Sequence, residues 1–504
     1  MKIIPQPQKI SFDENVKFDF SKILLQKNRL SQNAKDDFLN FTKKLEIKTA
    51  KEENILFFND DTIAEEGYKI EVDRKISIYA SSASGEFYAL QTLKQMLFEY
   101  KNNLPKTTIE DCPKFAYRGF MLDVGRYFYS VSDIKKFLDD MALQKLNWFH
   151  FHLTEDQGWR VEIKKYPLLT EIGSRRSHTN FNNKAHGGYY TQEDIKEIVE
   201  YAHSKYIKIM PEIDIPGHSR AAIAAYPELC CFNRELPVAT HWGVKHDILC
   251  AGKESVYQFV FNVIDELLEL FPDRYIHIGG DEVFKHRWKI CPECQKTIKE
   301  NGLKNETELQ EYFMNKVYDY LKKKGVDKVF MWNFDGLNPT ILNKDIGFSL
   351  CGGEEKERFF VDTSTKAYYL DFPYGYISLK DSCEHKIDEN AMGGEAEIWC
   401  EYIPNKQKSD IMTYPRILGL VESVWNGNCD YNSALEKLDF YYSYIEKNGI
   451  NHSVSDAKLN PKGLRKFFEI LLFERRQLTW EGVHNIFDDL KVERQAKKIS
   501  KVTK

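Results

Sequence analysis

The sequence contains no run of about eighteen apolar residues, which argues against a membrane-spanning helix. Its start, Met-Lys-Ile-Ile-Pro, lacks the apolar stretch of a signal peptide, so we expect either a cytoplasmic protein or an exported one whose leader was removed. It also lacks a basic excess: 71 Lys and Arg stand against 76 Asp and Glu, which argues against a nucleic-acid partner. Ten cysteines in 504 residues are too few for a disulfide scaffold and fit a reducing compartment.

Hydrophobic residues make up 42% of the chain, enough for a large core. In residues 1–111, alternating apolar residues predict strands at 55–58, 68–72 and 75–80, the last two forming a hairpin. Helical spacing predicts an amphipathic helix at 84–98. We therefore predict a small α+β domain over residues 1–111.

Between residues 112 and 430, short apolar segments alternate with helical ones. Strands are predicted at 115–123, 148–153, 207–214, 275–278, 328–332, 346–350, 367–370 and 397–399. Helices are predicted at 132–144, 192–205, 254–270, 306–324 and 414–424. This alternation predicts an α/β fold, a (β/α)8 TIM barrel. Residues 431–504 have helical spacing at 434–447 and 462–478, which predicts a helical C-terminal extension.

Chemically capable side chains follow most of the predicted strands, at the end of a TIM barrel where active sites lie. They are Asp123 and Arg126, Glu155 and Asp156, Asp214 and His218, Asp281 and Glu282, Trp332, Tyr369 and Asp371, and Trp399 and Glu401. Carboxylates and an arginine hold sugar hydroxyls, and aromatic rings stack on the apolar face of a sugar. The set predicts a site for a polyhydroxylated ring.

The most specific short segment is Gly279-Gly280-Asp281-Glu282. Two glycines permit a tight turn and a close backbone approach. The acid pair then lies at the barrel rim. Glycosidic cleavage needs a carboxyl that is protonated near neutral pH, and we expect the adjacent carboxylate and a partly apolar pocket to raise the pKa of this acid.

Four motifs together resemble one enzyme family. They are YRGFMLDVGR at 117–126, HLTEDQGWR at 152–160, EIDIPGH at 212–218 and GGDE at 279–282. In this order, and followed by YLD at 369–371 and WCE at 399–401, they resemble the glycoside hydrolases of family 20, the β-N-acetylhexosaminidases. The resemblance covers about residues 1–430, because the family also has a small α+β domain before its barrel.

The resemblance implies a retaining exo-β-N-acetylhexosaminidase that removes terminal β-linked N-acetylglucosamine or N-acetylgalactosamine from glycoconjugates or oligosaccharides. It implies substrate-assisted catalysis, in which the 2-acetamido oxygen attacks the anomeric carbon and forms an oxazolinium ion. Glu282 then corresponds to the general acid. Asp281 corresponds to the residue that orients the acetamido nitrogen and stabilises its positive charge. Tyr369 corresponds to the hydroxyl that hydrogen-bonds to the acetamido oxygen.

The same resemblance implies the sugar-binding residues. Arg126 corresponds to the residue that holds O3 and O4, and Asp371 and Glu401 correspond to acceptors for O6 and O4. Trp399 corresponds to the floor beneath the sugar, and Trp332 to a wall of the acetamido pocket. The expected partner is a carbohydrate, and neither a cofactor nor a metal ion is expected.

Three further residues correspond to a network close to the acid: His218, Glu155 and Asp156. The family usually has Asp-Asp where this chain has Glu155-Asp156, which adds a methylene to a supporting residue. At the end of the sixth predicted strand, where the family commonly has a Trp, this chain has Cys351. A smaller side chain here predicts an altered acetamido pocket and leaves the preferred sugar open.

Two other functions fit part of the pattern. A metal-dependent hydrolase on the same fold would use His150 and His152 with His218 and Asp281 as ligands. The alternative for His150 and His152 is that they are interior hydrogen-bonding residues. A catalytically inactive sugar-binding relative is the other possibility, but it has no need for the acid pair and Tyr369.

Cys291 and Cys294 form a CxxC pair, which is half of a structural zinc site if Cys230, Cys231 or Cys250 supplies the rest. Without a second CxxC pair the pattern is weak, and free thiols are the favoured interpretation.

Overall fold

The computed structural model describes residues 1–179, 183–333, 339–452, 461–477, 492 and 494. The first part is a five-stranded sheet of order β1-β7-β5-β6-β4 with two helices, and it also holds a short parallel strand pair, β2 and β3. The strands are β1 Lys9–Asp19, β2 Lys22–Ile23, β3 Lys48–Thr49, β4 Ile55–Asn59, β5 Tyr68–Val72, β6 Ile76–Ala80 and β7 Asn103–Asp111. The helices are α1 Gln32–Lys44 and α2 Ala83–Glu99.

Helix α2 is buried on nearly all sides, from Gly85 to Leu97. It packs against the sheet and also contacts α1 and a C-terminal helix, so even its polar side chains are covered. The antiparallel pairing of β5 with β6 and the position of α2 confirm the predicted hairpin and helix. The predictions did not include α1, β1 or β7. Strand β1 is mostly exposed, so burial does not impose a clear apolar alternation on its sequence.

Eight parallel strands form a closed barrel in the order β8-β9-β14-β15-β16-β17-β18-β19. They are β8 Tyr117–Asp123, β9 Trp148–His152, β14 Lys208–Glu212, β15 Tyr275–His277, β16 Lys328–Asn333, β17 Ile346–Leu350, β18 Phe360–Asp362 and β19 Gly393–Ile398. Two short hairpins lie in the loops: β10 Thr154–Glu155 with β11 Gly158–Trp159, and β12 Arg175–Arg176 with β13 His186–Gly187. The closed barrel confirms the predicted fold class.

Helices connect the strands and cover the barrel. They are α3 Val131–Leu143, α4 Leu168–Glu171, α5 Gln192–Ser204, α6 Arg220–Ala225, α7 Glu254–Leu270, α8 His286–Ile290, α9 Pro292–Glu300, α10 Glu306–Lys323, α11 Leu379–Glu384, α12 Lys406–Thr413 and α13 Ile417–Asn426. The C-terminal helices are α14 Tyr431–Lys447 and α15 Gly463–Gln477. Both fall in the predicted helical extension, whose remainder lies largely outside the described residues.

The seventh strand was predicted wrongly. It is β18, whereas the predicted segment 367–370 forms turns beyond the end of that strand and makes a single bridge between Tyr369 and Glu397. Tyr368 and Leu370 in this loop are fully buried, which produces the apolar pattern of a strand without its pairing. The eighth strand begins earlier than predicted, so that Trp399 lies just past its end.

One arginine joins the first domain to the amino-terminal end of the barrel. Arg118 in β8 is fully buried, and its Nη1 lies 2.7 Å from Oε2 of Glu66. Its other donors reach Oε1 of Glu66 and the hydroxyl of Tyr88, both at 3.0 Å, and the carbonyls of Lys145 and Phe115 at 2.9 and 3.0 Å. Every donor group of this guanidinium is therefore used within the protein.

Among the described residues, none of the helices is long and apolar enough to cross a membrane.

Candidate active site

Gly279 and Gly280 turn the chain sharply at the end of β15. Their φ angles are +64° and +92°, in the left-handed region that favours glycine. A Cβ on Gly279 would lie 1.8 Å from Oδ1 of Asp214, so the backbone passes against a neighbouring strand end. The turn places Asp281 in a buried position and leaves the side chain of Glu282 49% exposed. The acid pair thus lies at the rim, with one member inside and one facing the open cleft.

His218 lies at the centre of the carboxylate cluster. Its Nε2 is 3.4 Å from Oε2 of Glu282 and 3.8 Å from Oδ2 of Asp281. Its Nδ1 is 3.0 Å from Oε2 of Glu155 and 3.6 Å from Oδ2 of Asp156. Burial lowers the pKa of His218, but Glu155 and Asp214 outweigh it and raise this pKa well above its ordinary value. The imidazole is therefore a buried cation that links four acids.

The two members of the acid pair have opposite pKa shifts. Burial raises the pKa of Asp281 to about 6, although His218 opposes the shift. Burial also raises the pKa of Glu282, but the hydrogen bond and the charge of His218 outweigh it and the net shift is downward. The predicted rise for the acid is therefore wrong in this structure, because a protonated imidazole faces Glu282 and solvent reaches half of its side chain.

Arg126 connects three of the strand ends. Its Nη1 is 2.9 Å from Oδ2 of Asp123 and 2.9 Å from Oε1 of Glu155, and its Nε is 3.5 Å from Oε1 of Glu401. Its guanidinium carbon lies 5.2 Å from the ring centre of Trp399. Glu155, despite its additional methylene, bridges Arg126 and His218, and its pKa lies well below the ordinary value because these cations outweigh burial.

A buried aromatic cluster lies near Asp281, whose charge acts on the hydroxyl of Tyr369. The ring centres of Trp332 and Trp399 are 5.3 Å apart, and the Nε1 of Trp332 donates to Glu212 at 2.7 Å. Tyr369 joins the same cluster, and its hydroxyl lies 3.2 Å from the sulfur of Cys351. Cys351 is therefore part of this cluster. The rings of Phe372 and Tyr376 also pack against this cluster.

Asp371 and Glu401 are two acids that follow the last strands of the barrel, and the pKa of each is raised. Burial and the charge of Glu401 raise the pKa of Asp371 well above its ordinary value. Burial also raises the pKa of Glu401, although Arg126 opposes it. The buried Oδ1 of Asp371 and Nε1 of Trp399 have no hydrogen-bond partner among the described residues, so both have capacity for a ligand.

His150 and His152 lie inside the barrel and contact carboxylates. The Nδ1 of His150 is 2.8 Å from Glu395 and its Nε2 is 3.0 Å from Glu212. The Nδ1 of His152 contacts Glu212 and its Nε2 is 3.2 Å from Glu155. Although burial opposes protonation, these acids raise the pKa of His150 to about 9 and hold that of His152 well above its ordinary value. The contacts favour interior hydrogen bonding over metal ligation, which needs neutral imidazoles.

Three further acids lie at the carboxyl end of the barrel, and none of them has an individual role in the sequence-based prediction. Asp123 accepts hydrogen bonds from Arg126 and from the backbone of Cys400 at 3.0 Å, which ties the first strand end to the eighth. Glu212 contacts both interior histidines and Trp332. Glu397 in β19 is fully buried, and both of its carboxyl oxygens lack a hydrogen-bond partner among the described residues. The sequence feature that could have identified them is a charged residue within an otherwise apolar strand, which indicates a buried carboxyl with a specific role.

The comparisons with known proteins identify the family. The sequence profile of "Glycosyl hydrolase family 20, catalytic domain" matches residues 115–376 and 353–428. That of "Glycosyl hydrolase family 20, domain 2" matches residues 1–112. A beta-hexosaminidase of Porphyromonas gingivalis is 39% identical over 450 residues, which are 81% of this chain and 58% of that protein. A beta-hexosaminidase of Akkermansia muciniphila is 31% identical over 80% of this chain and 88% of its own length.

Solved structures agree with this assignment. The GH20 exo beta-N-acetylglucosaminidase of Vibrio harveyi, solved with N-acetylglucosamine, has a TM-score of 0.80 at 28% identity, over 89% of this chain and 78% of that one. The beta-N-acetylhexosaminidase of Bacteroides fragilis has a TM-score of 0.76 at 32% identity, over 91% of this chain and 99% of that one. The chain spans 58% of the length of its Porphyromonas relative. Both of its family matches and its motifs lead to one conclusion: the chain belongs to glycosyl hydrolase family 20, as the resemblance predicted.

Proposed function

We propose that the chain is a retaining exo-β-N-acetylhexosaminidase that releases terminal β-linked N-acetylglucosamine or N-acetylgalactosamine by substrate-assisted catalysis. The observation that carries the proposal is the acid pair: buried Asp281 and half-exposed Glu282 share one imidazolium near an aromatic cluster. Both carboxyls face the Nε2 of His218, so they would lie on the same side of a bound sugar, whereas the two carboxylates of ordinary retaining enzymes flank the glycosidic bond. A nucleophile within the substrate removes the need for the second one.

Asp281 and Tyr369 would act on the acetamido group. The carboxylate of Asp281 would hold the acetamido N–H and stabilise the positive charge that develops as the oxazolinium ion forms. The hydroxyl of Tyr369 would donate to the acetamido oxygen and direct it to the anomeric carbon. Trp332, whose ring centre is 5.3 Å from that of Trp399, would form a wall beside the acetamido methyl group, and Trp399 would lie beneath the sugar ring. The sulfur of Cys351 forms a smaller wall than an indole ring and would admit a bulkier acyl group.

Glu282 would protonate the leaving oxygen and then deprotonate the attacking water. In the free site, His218 and solvent favour its carboxylate form. A bound sugar would displace water from the exposed half of this side chain, and this desolvation raises the pKa toward the protonated form that the reaction needs. His218 would thus position the acid and set its pKa.

The remaining rim residues would recognise one terminal sugar. Arg126 would donate to O3 and O4, while Asp371 and Glu401 would accept from O6 and O4. The unpartnered Oδ1 of Asp371 supports this role, since a sugar hydroxyl would satisfy it. The Vibrio harveyi relative was solved with N-acetylglucosamine, which supports a sugar of this kind as the ligand here.

The test compares p-nitrophenyl β-N-acetylglucosaminide and β-N-acetylgalactosaminide with the plain β-glucoside, in the wild type and in Glu282→Gln. We expect cleavage of acetamido sugars only, and a loss of at least about 100-fold in kcat in the variant. The loss should shrink for a leaving group that needs no protonation, such as dinitrophenolate. Cleavage of the plain glucoside at a similar rate would contradict acetamido assistance. Sugar binding without turnover would indicate an inactive sugar-binding relative.

We also propose a division into an α+β domain at 1–111, a catalytic barrel at 112–430 and a helical extension at 431–504. The gap between the two family matches, at residues 113–114, supports the first boundary. For location we propose the cytoplasm, or export with removal of a leader. The ten free thiols support a reducing compartment.

A further inference from the structure

Four cysteine sulfurs from separate parts of the chain meet beside the barrel. Cys231 follows the 3-10 turn Pro227–Leu229, and Cys250 precedes helix α7. Cys291 and Cys294 lie at the start of helix α9. Cys250, Cys291 and Cys294 are buried and Cys231 is partly buried. None of the four takes part in the proposed glycosidase chemistry.

The spacing of the sulfurs matches a tetrahedral metal site. The sulfur of Cys294 lies 3.9 Å from the sulfur of Cys231 and 3.6 Å from the sulfur of Cys250. The sulfur of Cys250 lies 3.8 Å from the sulfur of Cys291. All four sulfurs lie within 4.8 Å of one another. A zinc ion that binds four thiolates at about 2.3 Å holds them about 3.8 Å apart. The bond of a disulfide is much shorter, about 2.05 Å.

The backbone around the cluster supports ligation. The N–H of Cys294 hydrogen-bonds to the sulfur of Cys291, a contact that stabilises a thiolate ligand. A Cβ on Gly252 would lie 2.3 Å from the carbonyl carbon of Glu293, so the segment after Cys250 packs directly on the CxxC turn. Cys230, the neighbour of Cys231, instead directs its sulfur to the carbonyl of Pro227 at 3.3 Å. The fold therefore selects one of two adjacent cysteines.

We propose that Cys231, Cys250, Cys291 and Cys294 bind one structural zinc ion. Four thiolate ligands in a closed tetrahedron leave no position open for substrate, so the ion stabilises structure and does not catalyse. Tetrahedral sulfur sites select zinc or iron over the harder divalent ions. Zinc is the occupant that we infer, because a structural role requires no redox change.

The zinc site would join two loops that carry active-site residues. The loop from His218 to Cys250 follows β14, and the segment from Glu282 to Cys294 follows β15. Between these loops, Nε1 of Trp288 donates to the carbonyl of Leu249 at 3.0 Å. The Nε of Arg287 also donates to Oδ1 of Asp247 at 3.4 Å, and the ion would add a metal-ligand link to these two hydrogen bonds. The ion would therefore fix the position of Glu282 relative to His218 from a distance.

The test is metal analysis of the full-length protein, purified under reducing conditions without a metal-affinity step, by inductively coupled plasma mass spectrometry. We expect about one zinc per chain in the wild type and in Cys230→Ser, the matched control. Cys250→Ser and the double variant Cys291→Ser/Cys294→Ser should bind less than about a tenth of this amount. Cobalt(II) added to metal-free wild type should give sulfur-to-cobalt charge-transfer absorption, which is absent in the double variant.

Three results would overturn the proposal: a folded wild type without zinc, a Cys291–Cys294 disulfide in the mass spectrum of the reduced preparation, or stoichiometric iron in place of zinc. Circular dichroism of the wild type shows whether the analysed protein is folded. Zinc content does not depend on turnover, so failure of this proposal is distinguishable from failure of the proposed hydrolase activity.

Discussion

The two ends of the barrel differ in how completely the groups around a buried arginine are hydrogen-bonded. At the amino-terminal end, Arg118 is fully buried and uses all of its donor groups on Glu66, Tyr88 and backbone carbonyls. At the carboxyl end, Arg126 is also buried, but polar atoms of its neighbours, such as Oδ1 of Asp281 and Nε1 of Trp399, have no hydrogen-bond partner in the described part of the chain. An unpaired buried polar atom costs about 1–3 kcal/mol, and a ligand that pairs with it offsets this cost.

The difference teaches how to separate structure from function in a barrel of this kind. Both ends contain a buried arginine and acids, so residue type alone does not distinguish them. The two ends differ in how completely their buried polar groups are hydrogen-bonded. The satisfied end holds the first domain to the barrel, and the unsatisfied end is the one where we propose that a sugar binds. The following changes test this distinction.

Arg118→Met should have the largest effect on stability. It leaves the carboxylate of Glu66 without its cation in a largely buried place, and we expect the free energy of unfolding to fall by about 3–5 kcal/mol. The kcat/KM of the remaining folded enzyme should stay within about twofold, since the residue lies at the far end of the barrel. Urea unfolding measures the first effect. The control is Lys9→Met, which removes an exposed ion pair with Glu110 and should cost less than about 1 kcal/mol.

Asp281→Asn should have the opposite profile. An amide keeps the shape but cannot stabilise the positive acetamido nitrogen, so we expect kcat to fall about 100- to 1000-fold, or about 2.7–4 kcal/mol in the barrier. Stability should be unchanged or higher, because the variant removes an acid whose pKa burial has raised to about 6. Steady-state kinetics and thermal unfolding give the two values. A marked loss of stability with little loss of kcat would show that Asp281 has a structural role and not a catalytic one.

His218→Asn should have a smaller effect, visible in the pH profile of kcat/KM. Asparagine tolerates the φ of +40° at this position, so the fold should persist. The imidazolium lowers the pKa of both Asp281 and Glu282. Its removal should therefore move the acidic limb, where Asp281 must be ionised, and the alkaline limb, where Glu282 must be protonated, upward by about one pH unit. If neither limb moves, His218 does not set these pKa values.

Much of the fold and of the site was predictable from local patterns. Helix α7 was predicted at its observed bounds because its apolar spacing is strong. The segment 367–370 was wrongly predicted to be a strand because Tyr368 and Leu370 are buried in a loop. Buried loop residues produce the same apolar pattern in the sequence as a paired strand. The shift of the Glu282 pKa was predicted in the wrong direction, since it depends on the distance to His218, which is 64 residues away in sequence.

The sequence by itself determined the fold class, the family and the identity of the rim residues, because the motifs and the periodicity of strands and helices are local properties of the chain. Only the tertiary structure decided which residues interact across the barrel. It brought Glu155 between Arg126 and His218. It also brought Cys231 and Cys250, rather than Cys230, to the CxxC pair. Both results depend on distances between segments far apart in sequence, and these distances are fixed by closing the barrel and packing its loops.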